Sequence, residues 1–274
     1  MKMRLLAMLG VAFFILLLSG CKKDDETAPV LPPLETMVID FSDFTDSKSD
    51  INSKTANNFA WSATTVGVWN LILSITLVTP VAAFQHAFAN TPTCLGDKKW
   101  EWTYNVTILA ANYAVRLTGE IRANDVKWET YITKTGVVAF SEFKWFEGTS
   151  DLDGNGGQWI LYHSPLHQDP VLQIDWEKQN TQIGKIKYTY VRENNDNNQP
   201  DTFKNSYLEY GLQSGNYNAY FTAHAFNNNS SIFNDTYIEW STTEHFGHIK
   251  AQHIYQNSDW HCWDENGQDI VCPN

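Results

Sequence analysis

The sequence predicts a mainly β fold: an antiparallel meander curling into a barrel or half-barrel, with an N-terminal helical segment packed on or in it. Three observations carry that reading. From Lys98 onward apolar and polar residues alternate, so that Trp100, Trp102, Tyr104 and Val106 share one face, as do Tyr217, Ala219, Phe221 and Ala223. The alternating stretches recur roughly every 10 to 14 residues, which leaves no room for crossover helices and makes neighbours pair antiparallel. About a dozen strands in one sheet curl rather than stay flat.

Residues 1–20 read as a signal peptide: Lys2 and Arg4 precede an apolar run from Leu5 to Leu18, followed by Ser19-Gly20-Cys21. Residues 21–35 read as anchor and tether. They carry Lys22-Lys23-Asp24-Asp25-Glu26 and then Pro29, Pro32 and Pro33, a composition that cannot bury a core of its own. Residues 36–274 form one β-rich domain, long enough to bury a sizeable core without cross-links.

Within that domain, 56–90 is the helical part. Thr64 to Phe84 holds no charged residue, and Trp61, Thr65, Val68, Ile72 and Ile75 follow the three-and-four spacing of a buried helix face. Thr79-Pro80 reads as the N-cap and first residue of a second short helix through Phe88. The stretch is long enough for a bilayer, yet Asn70, Ser74, Pro80 and the absence of flanking basic anchors argue against a span. The strands follow at 98–108, 111–122, 125–134, 137–146, 157–163, 170–177, 182–192, 203–212, 216–226, 232–241, 246–255 and 259–263. The asparagine-rich stretches Glu193–Pro200 and Asn227–Ser231 read as exposed loops.

Cys21, Cys94, Cys262 and Cys272 are the four cysteines. Asn266-Gly267 marks a tight turn between Cys262 and Cys272 and favours that disulfide, with Cys94 left over as a buried or free thiol. Pairing of Cys94 with either C-terminal cysteine is the rival, since spacing alone cannot fix connectivity.

The full chain carries 31 acidic and 19 basic residues. Loss of Lys2 and Arg4 with the signal leaves about −14, and no basic cluster offers itself to phosphate, which argues against nucleic acid.

The stretch Thr149–Tyr162 has an Asp-x-Asp-x-Asn-Gly rhythm in which Asp151, Asp153 and Asn155 are weak calcium candidates. The bidentate glutamate that should close the loop is replaced by Tyr162, so a hairpin turn is the better reading and no metal is expected. His224, His245, His248, His253 and His261 crowd the last strands, but His248 and His253 are an odd number apart and would face opposite ways on a strand. No nucleophile elbow or phosphate-binding glycine loop is present. Glu101, Glu120, Glu129 and Glu142 sit beside strand aromatics and are the candidates for a glycosidase pair, although alternation alone places glutamates on a wet face. No cofactor is expected, and the sequence leans away from catalysis.

Leu18-Ser19-Gly20-Cys21 resembles a bacterial lipobox, and a lysine followed by two acids, Lys23-Asp24-Asp25, resembles the surface-export signal of Bacteroidota lipoproteins. The resemblance implies lipid attachment at Cys21 and an outer-membrane location facing the cell surface; a lipoprotein facing the periplasm is the alternative. It covers about the first 26 residues and carries no activity with it. Two functions remain. One is binding of a hydrophobic or lipid ligand in the concavity, which fails if Trp69, Leu73 and Phe84 fill that space. The other is a glycan-binding surface built on exposed Trp128, Trp145 and Trp176.

Overall fold

The computed structural model describes residues 27–38 and 57–273. The signal segment, Cys21 and Lys22–Glu26 lie outside them. One sheet of fourteen antiparallel strands, each hydrogen-bonded to its sequence neighbours, makes up most of the domain. Its strands are β1 (Thr93–Gly96), β2 (Lys99–Ile108), β3 (Ala111–Ile121), β4 (Asp125–Lys134), β5 (Phe140–Asp151), β6 (Gly156–Tyr162), β7 (Pro170–Gln179), β8 (Gln182–Tyr190), β9 (Tyr207–Leu212), β10 (Ala219–Asn227), β11 (Ile232–Trp240), β12 (Gly247–Lys250), β13 (His261–Trp263) and β14 (Asp269–Ile270). The ladder runs in strict sequence order and β1 does not pair with β14, so the sheet is a half-barrel and not a closed one. The segment expected as a single strand over 246–255 ends at Lys250 and continues as the short helix α2 (Gln252–Tyr255).

Instead of a closing ladder, a helix ties the two ends of the sheet together. α1 (Asn58–Ala87) starts against the last strands: Asn57 caps it by accepting from the Ala60 N–H at 2.7 Å and donates to the Gly267 carbonyl at 2.9 Å. Asn58 donates through its backbone N–H to Asp269 Oδ1 and through Nδ2 to the Cys262 carbonyl. At the other end, the Tyr104 hydroxyl on β2 donates to the Ala83 carbonyl at 2.6 Å.

Two expectations about this helix are overturned. It is one helix of 30 residues with Pro80 inside it, not two. Proline forfeits one backbone hydrogen bond to the residue four before it, and burial of Pro80 against the sheet offsets that loss. The buried stripe is also a different one. Phe59, Ser62, Val66, Leu73, Leu77, Pro80, Phe84 and Ala87 face the sheet, whereas Trp61, Val68, Ile72 and Ile75 are exposed and Thr65 half-exposed. Both stripes have three-and-four spacing on a helix apolar all round, so periodicity could not choose between them. The helix is long and apolar enough to cross a membrane, by length and composition only. Its ends are hydrogen-bonded into the sheet and Leu73, Leu77 and Phe84 are core residues, so a span would strip the sheet of its filling.

The expected tether over 21–35 is corrected from Thr27 on, because this segment is packed into the concavity. Pro29 and Pro32 are buried, a short 3-10 turn covers Leu34–Thr36, and Thr36 and Met37 are core residues. Thr36 Oγ1 accepts from the Trp159 indole at 3.0 Å, and the Tyr188 hydroxyl donates to the Met37 carbonyl. Prolines suit such a role, having no N–H to leave unsatisfied.

The large indoles are accommodated by a register rule. Trp128 lies directly across from Gly119, Trp159 from Gly148, Trp176 from Gly157 and Trp263 from Gly247. Each ring covers the glycine backbone opposite it, and a Cβ there would collide with the ring. All four tryptophans are buried, and Trp128 and Trp263 place their N–H groups on Ser150 Oγ and the His245 carbonyl.

At the C-terminus, β13 and β14 flank a turn in which Asp264 Oδ1 accepts from the N–H groups of Asn266 and Gln268. Cys262 and Cys272 are joined across it, with Cα atoms 5.2 Å apart. Cys94 on β1 is also disulfide-bonded, which corrects its reading as a leftover thiol. The fourth cysteine, Cys21, lies outside the described residues.

Candidate functional site: an apolar cleft between helix and sheet

The helix packs on β2 towards one end and on β12 and β13 towards the other. Towards its C-terminus Phe84 stands edge-on to Phe146 and Trp159, at centroid distances of 6.1 and 5.4 Å, and fills that region. Around Trp69–Thr76 the helix does not reach β7–β10, and a cleft of about 440 Å³ remains. Trp69, Ile72, Leu73 and Thr76 form its helical wall; Val171, Leu172, Tyr188, Tyr190, Leu208 and Ala225 form the strand side, with Phe203 and Phe226 at the rim. Trp69, Leu73 and Phe84 therefore do not fill the concavity. The volume lies within the range of about 300–1,000 Å³ typical of small-molecule sites.

Three of the hydroxyls in this lining, those of Tyr188, Tyr190 and Thr76, are turned to partners in the protein. The Tyr188 hydroxyl is spent on Met37, and the Tyr190 hydroxyl donates to Asp201 Oδ2 at 2.9 Å. Burial first and the Asp201 bond second push the Tyr190 phenol up to about 12, so it stays protonated and donating. Thr76 Oγ1 donates back to the Ile72 carbonyl of its own helix. Among the described residues no Asp, Glu, Lys or Arg lines the cleft, and His224 is its one histidine.

The outer face of the sheet has the opposite character. Glu101 and Glu142 flank Arg116, and Glu129 is held by Lys127 at 3.1 Å and Lys144 at 3.4 Å. Burial raises the Glu129 and Glu147 carboxyls, but bonds from Lys127 and Lys144 onto the first, and from Tyr162 and Lys144 onto the second, outweigh it and hold both below the ordinary range. A general acid needs the reverse shift. Glu101, Glu129, Glu142 and Glu147 are thus tied into ion pairs with Arg116, Lys127 and Lys144.

The calcium candidates fall in the β5–β6 hairpin. Asp153 accepts from the Asn155 N–H at 3.1 Å and from its side-chain amide at 2.9 Å, and Gly154 at φ +69° makes the turn. The Asp153 carboxylate is thus used within the turn. Among the described residues no three His, Cys, Asp or Glu side chains stand where they could hold a metal ion. Of the histidines, His245 lies in a turn, His253 on α2 and His224 on β10 beside Asp235 at 2.6 Å. Of the three tryptophans expected on a glycan platform, Trp128 and Trp176 are buried and Trp145 is half-buried against Tyr113. That platform does not exist.

His248 supplies a pH dependence. It stacks between Tyr217 and Trp260, at 4.1 and 3.8 Å, with Nε2 2.8 Å from Glu239. Burial pushes the imidazole down and the Glu239 bond only partly offsets it; burial lowers His253 as well. The unfolded chain then takes up more protons as pH falls through about 6.5, so stability present above that value is lost below it. The lowered carboxylates lose theirs further down, below about 4.5. Melting temperature therefore falls from pH 7.5 to 5.5 and again below 4.5; His248→Gln shrinks the first drop and keeps the second. Melts at fixed ionic strength that show no first drop would contradict this.

Fold and cleft together define an open antiparallel half-barrel, strutted by one helix, with an apolar site at the helix's flank. No protein-family model, curated protein or solved structure matches the chain.

Proposed function

We propose that the protein is an outer-membrane lipoprotein, held by acyl chains on Cys21 and facing the cell surface, whose half-barrel binds a hydrophobic ligand without catalysis. The observation that carries the binding role is the cleft beside Trp69 and Leu73, an apolar space left open between the helix and β7–β10. The lipobox-like Leu18-Ser19-Gly20-Cys21 and the acidic follow-on support the location. The cleft's rim and the entry of the N-terminal segment are at opposite ends of the sheet: Pro29 packs by Gly119 near the β3–β4 turn, while Leu172, Tyr190 and Ala225 lie towards the other set of turns. This separation supports a reading in which a chain tethered by its first residues holds its cleft away from the membrane.

Binding is tested with N-phenyl-1-naphthylamine, an uncharged apolar fluorophore, on the mature chain. Emission saturates at one probe per chain. Ile72→Asp puts a charge at the half-exposed mouth and weakens binding at least tenfold, with little change in melting temperature; equal binding by this variant places the probe elsewhere. For the anchor, Cys21→Ser releases the chain from the membrane fraction and abolishes palmitate labelling. A sulfur that carries diacylglycerol cannot also close a disulfide, so the mass of the mature N-terminal peptide distinguishes a lipidated Cys21 from one paired with Cys94.

A further inference from the structure

A second cleft, of about 900 Å³, follows the first along α1 and shares Trp69, Ala225 and Phe226 with it. Its lining is different. Trp61, exposed at 39%, stands with Thr64 and Thr65 on the helix side, and Asn227, Asn228, Asn229 and Asn234 on the β10–β11 hairpin. Together the clefts follow the helix from Trp61 to Thr76, about 22 Å at about 1.5 Å per residue. The apolar end gives way to an end rich in amides and hydroxyls over this distance.

Among the described residues, neither cleft is lined by Asp, Glu, Lys or Arg. A charged head group entering the second cleft would lose water without gaining a counter-charge, at a cost of several kcal/mol. Side-chain amides donate and accept at once, which matches hydroxyls that also do both. The Asn234 amide has no hydrogen-bond partner among the described residues, so it is open to a ligand. Trp61 offers an apolar ring with a polar edge, the surface on which a sugar ring stacks. Among the described residues His253 is the one titratable side chain lining this cleft, and burial disfavours its charged form.

We infer that the ligand is an amphiphile with an acyl or alkyl tail in the first cleft and an uncharged, hydroxyl-rich head, as in a glycosylated lipid, in the second. This rests on the apolar-ligand reading above and deepens it. The test is displacement of N-phenyl-1-naphthylamine by monomeric dodecyl maltoside, dodecanoate and dodecylphosphocholine, equal in tail and different in head. Dodecyl maltoside displaces the probe at a concentration at least tenfold lower than either charged-head compound. Asn234→Leu removes that advantage. Should the probe bind but the three compounds displace it equally, or should Asn234→Leu keep the preference, the head-group inference is overturned while the hydrophobic cleft stands. A wild-type chain that binds no probe overturns the cleft itself.

Discussion

Phe84→Ala lowers the free energy of unfolding by about 3–5 kcal/mol, the range for removing a fully buried aromatic ring. Phe84 is wholly buried where α1 meets the sheet, edge-on to Phe146 and Trp159, so the loss includes both transfer free energy and the ring contacts. The consequence reaches beyond local packing, because this contact and the Tyr104 to Ala83 hydrogen bond hold the helix to the β2 side of a sheet with no closing ladder. Urea unfolding measures the effect, with Ile75→Ala as control. Ile75 is 67% exposed on the same helix, and its truncation shifts stability by about 0.5 kcal/mol or less. Equal effects from the two would mean that the helix does not dock by the stripe containing Phe84.

Gly148→Ala is the second large effect, and its size comes from a single methyl group. A Cβ at this position would overlap the Gln158 carbonyl oxygen and the Trp159 ring, one of which is backbone and unable to yield cheaply. The indole must tilt, and its hydrogen bond to Thr36 Oγ1, which fixes the N-terminal segment in the concavity, goes with it. Overpacking costs about 1–3 kcal/mol and an unsatisfied buried N–H about as much again, for a total near 3 kcal/mol or more. Gly136→Ala is not comparable, since open space surrounds it and its penalty arises from φ +89° alone. A Gly148→Ala chain with unchanged stability and unchanged near-ultraviolet tryptophan dichroism would refute the register rule that places indoles over glycines.

The strands were legible because a half-buried strand writes its burial into alternate residues. The 125–134 segment is β4 to the residue, and β2 and β3 differ from their expected limits by one at an end. Alternation faded where strands were short: β1 and β14, of four and two residues, carry too little pattern to be read. The segment Ala251–Tyr255 continues the alternation of a strand in sequence, and the turn into α2 at Gln252 leaves no mark in that pattern. Register was illegible for a different reason. Nothing local to Trp159 says that Gly148 stands opposite, since the pairing depends on where the β5–β6 hairpin turns. The cleft shares that limitation. Its walls come from α1, β7, β8, β9 and β10, and Phe203 sits in a turn rather than in a strand. The helix supplied the clearest failure: an element apolar on every side has no face that sequence can choose, and the sheet chose Val66, Leu73 and Phe84 over Val68, Ile72 and Ile75.

Placement of a heavy-atom ligand tests the binding site most directly. A crystal of the mature chain grown with 12-bromododecanol and measured at the bromine edge locates the halogen without assumption about the binding mode. The predicted result is one anomalous peak beside α1, between Leu73 and the β7–β10 wall formed by Leu172, Tyr188 and Leu208. Bromine found only on the outer side of the helix, against Leu71 and Ile75, or no ordered peak at saturating ligand, would contradict it.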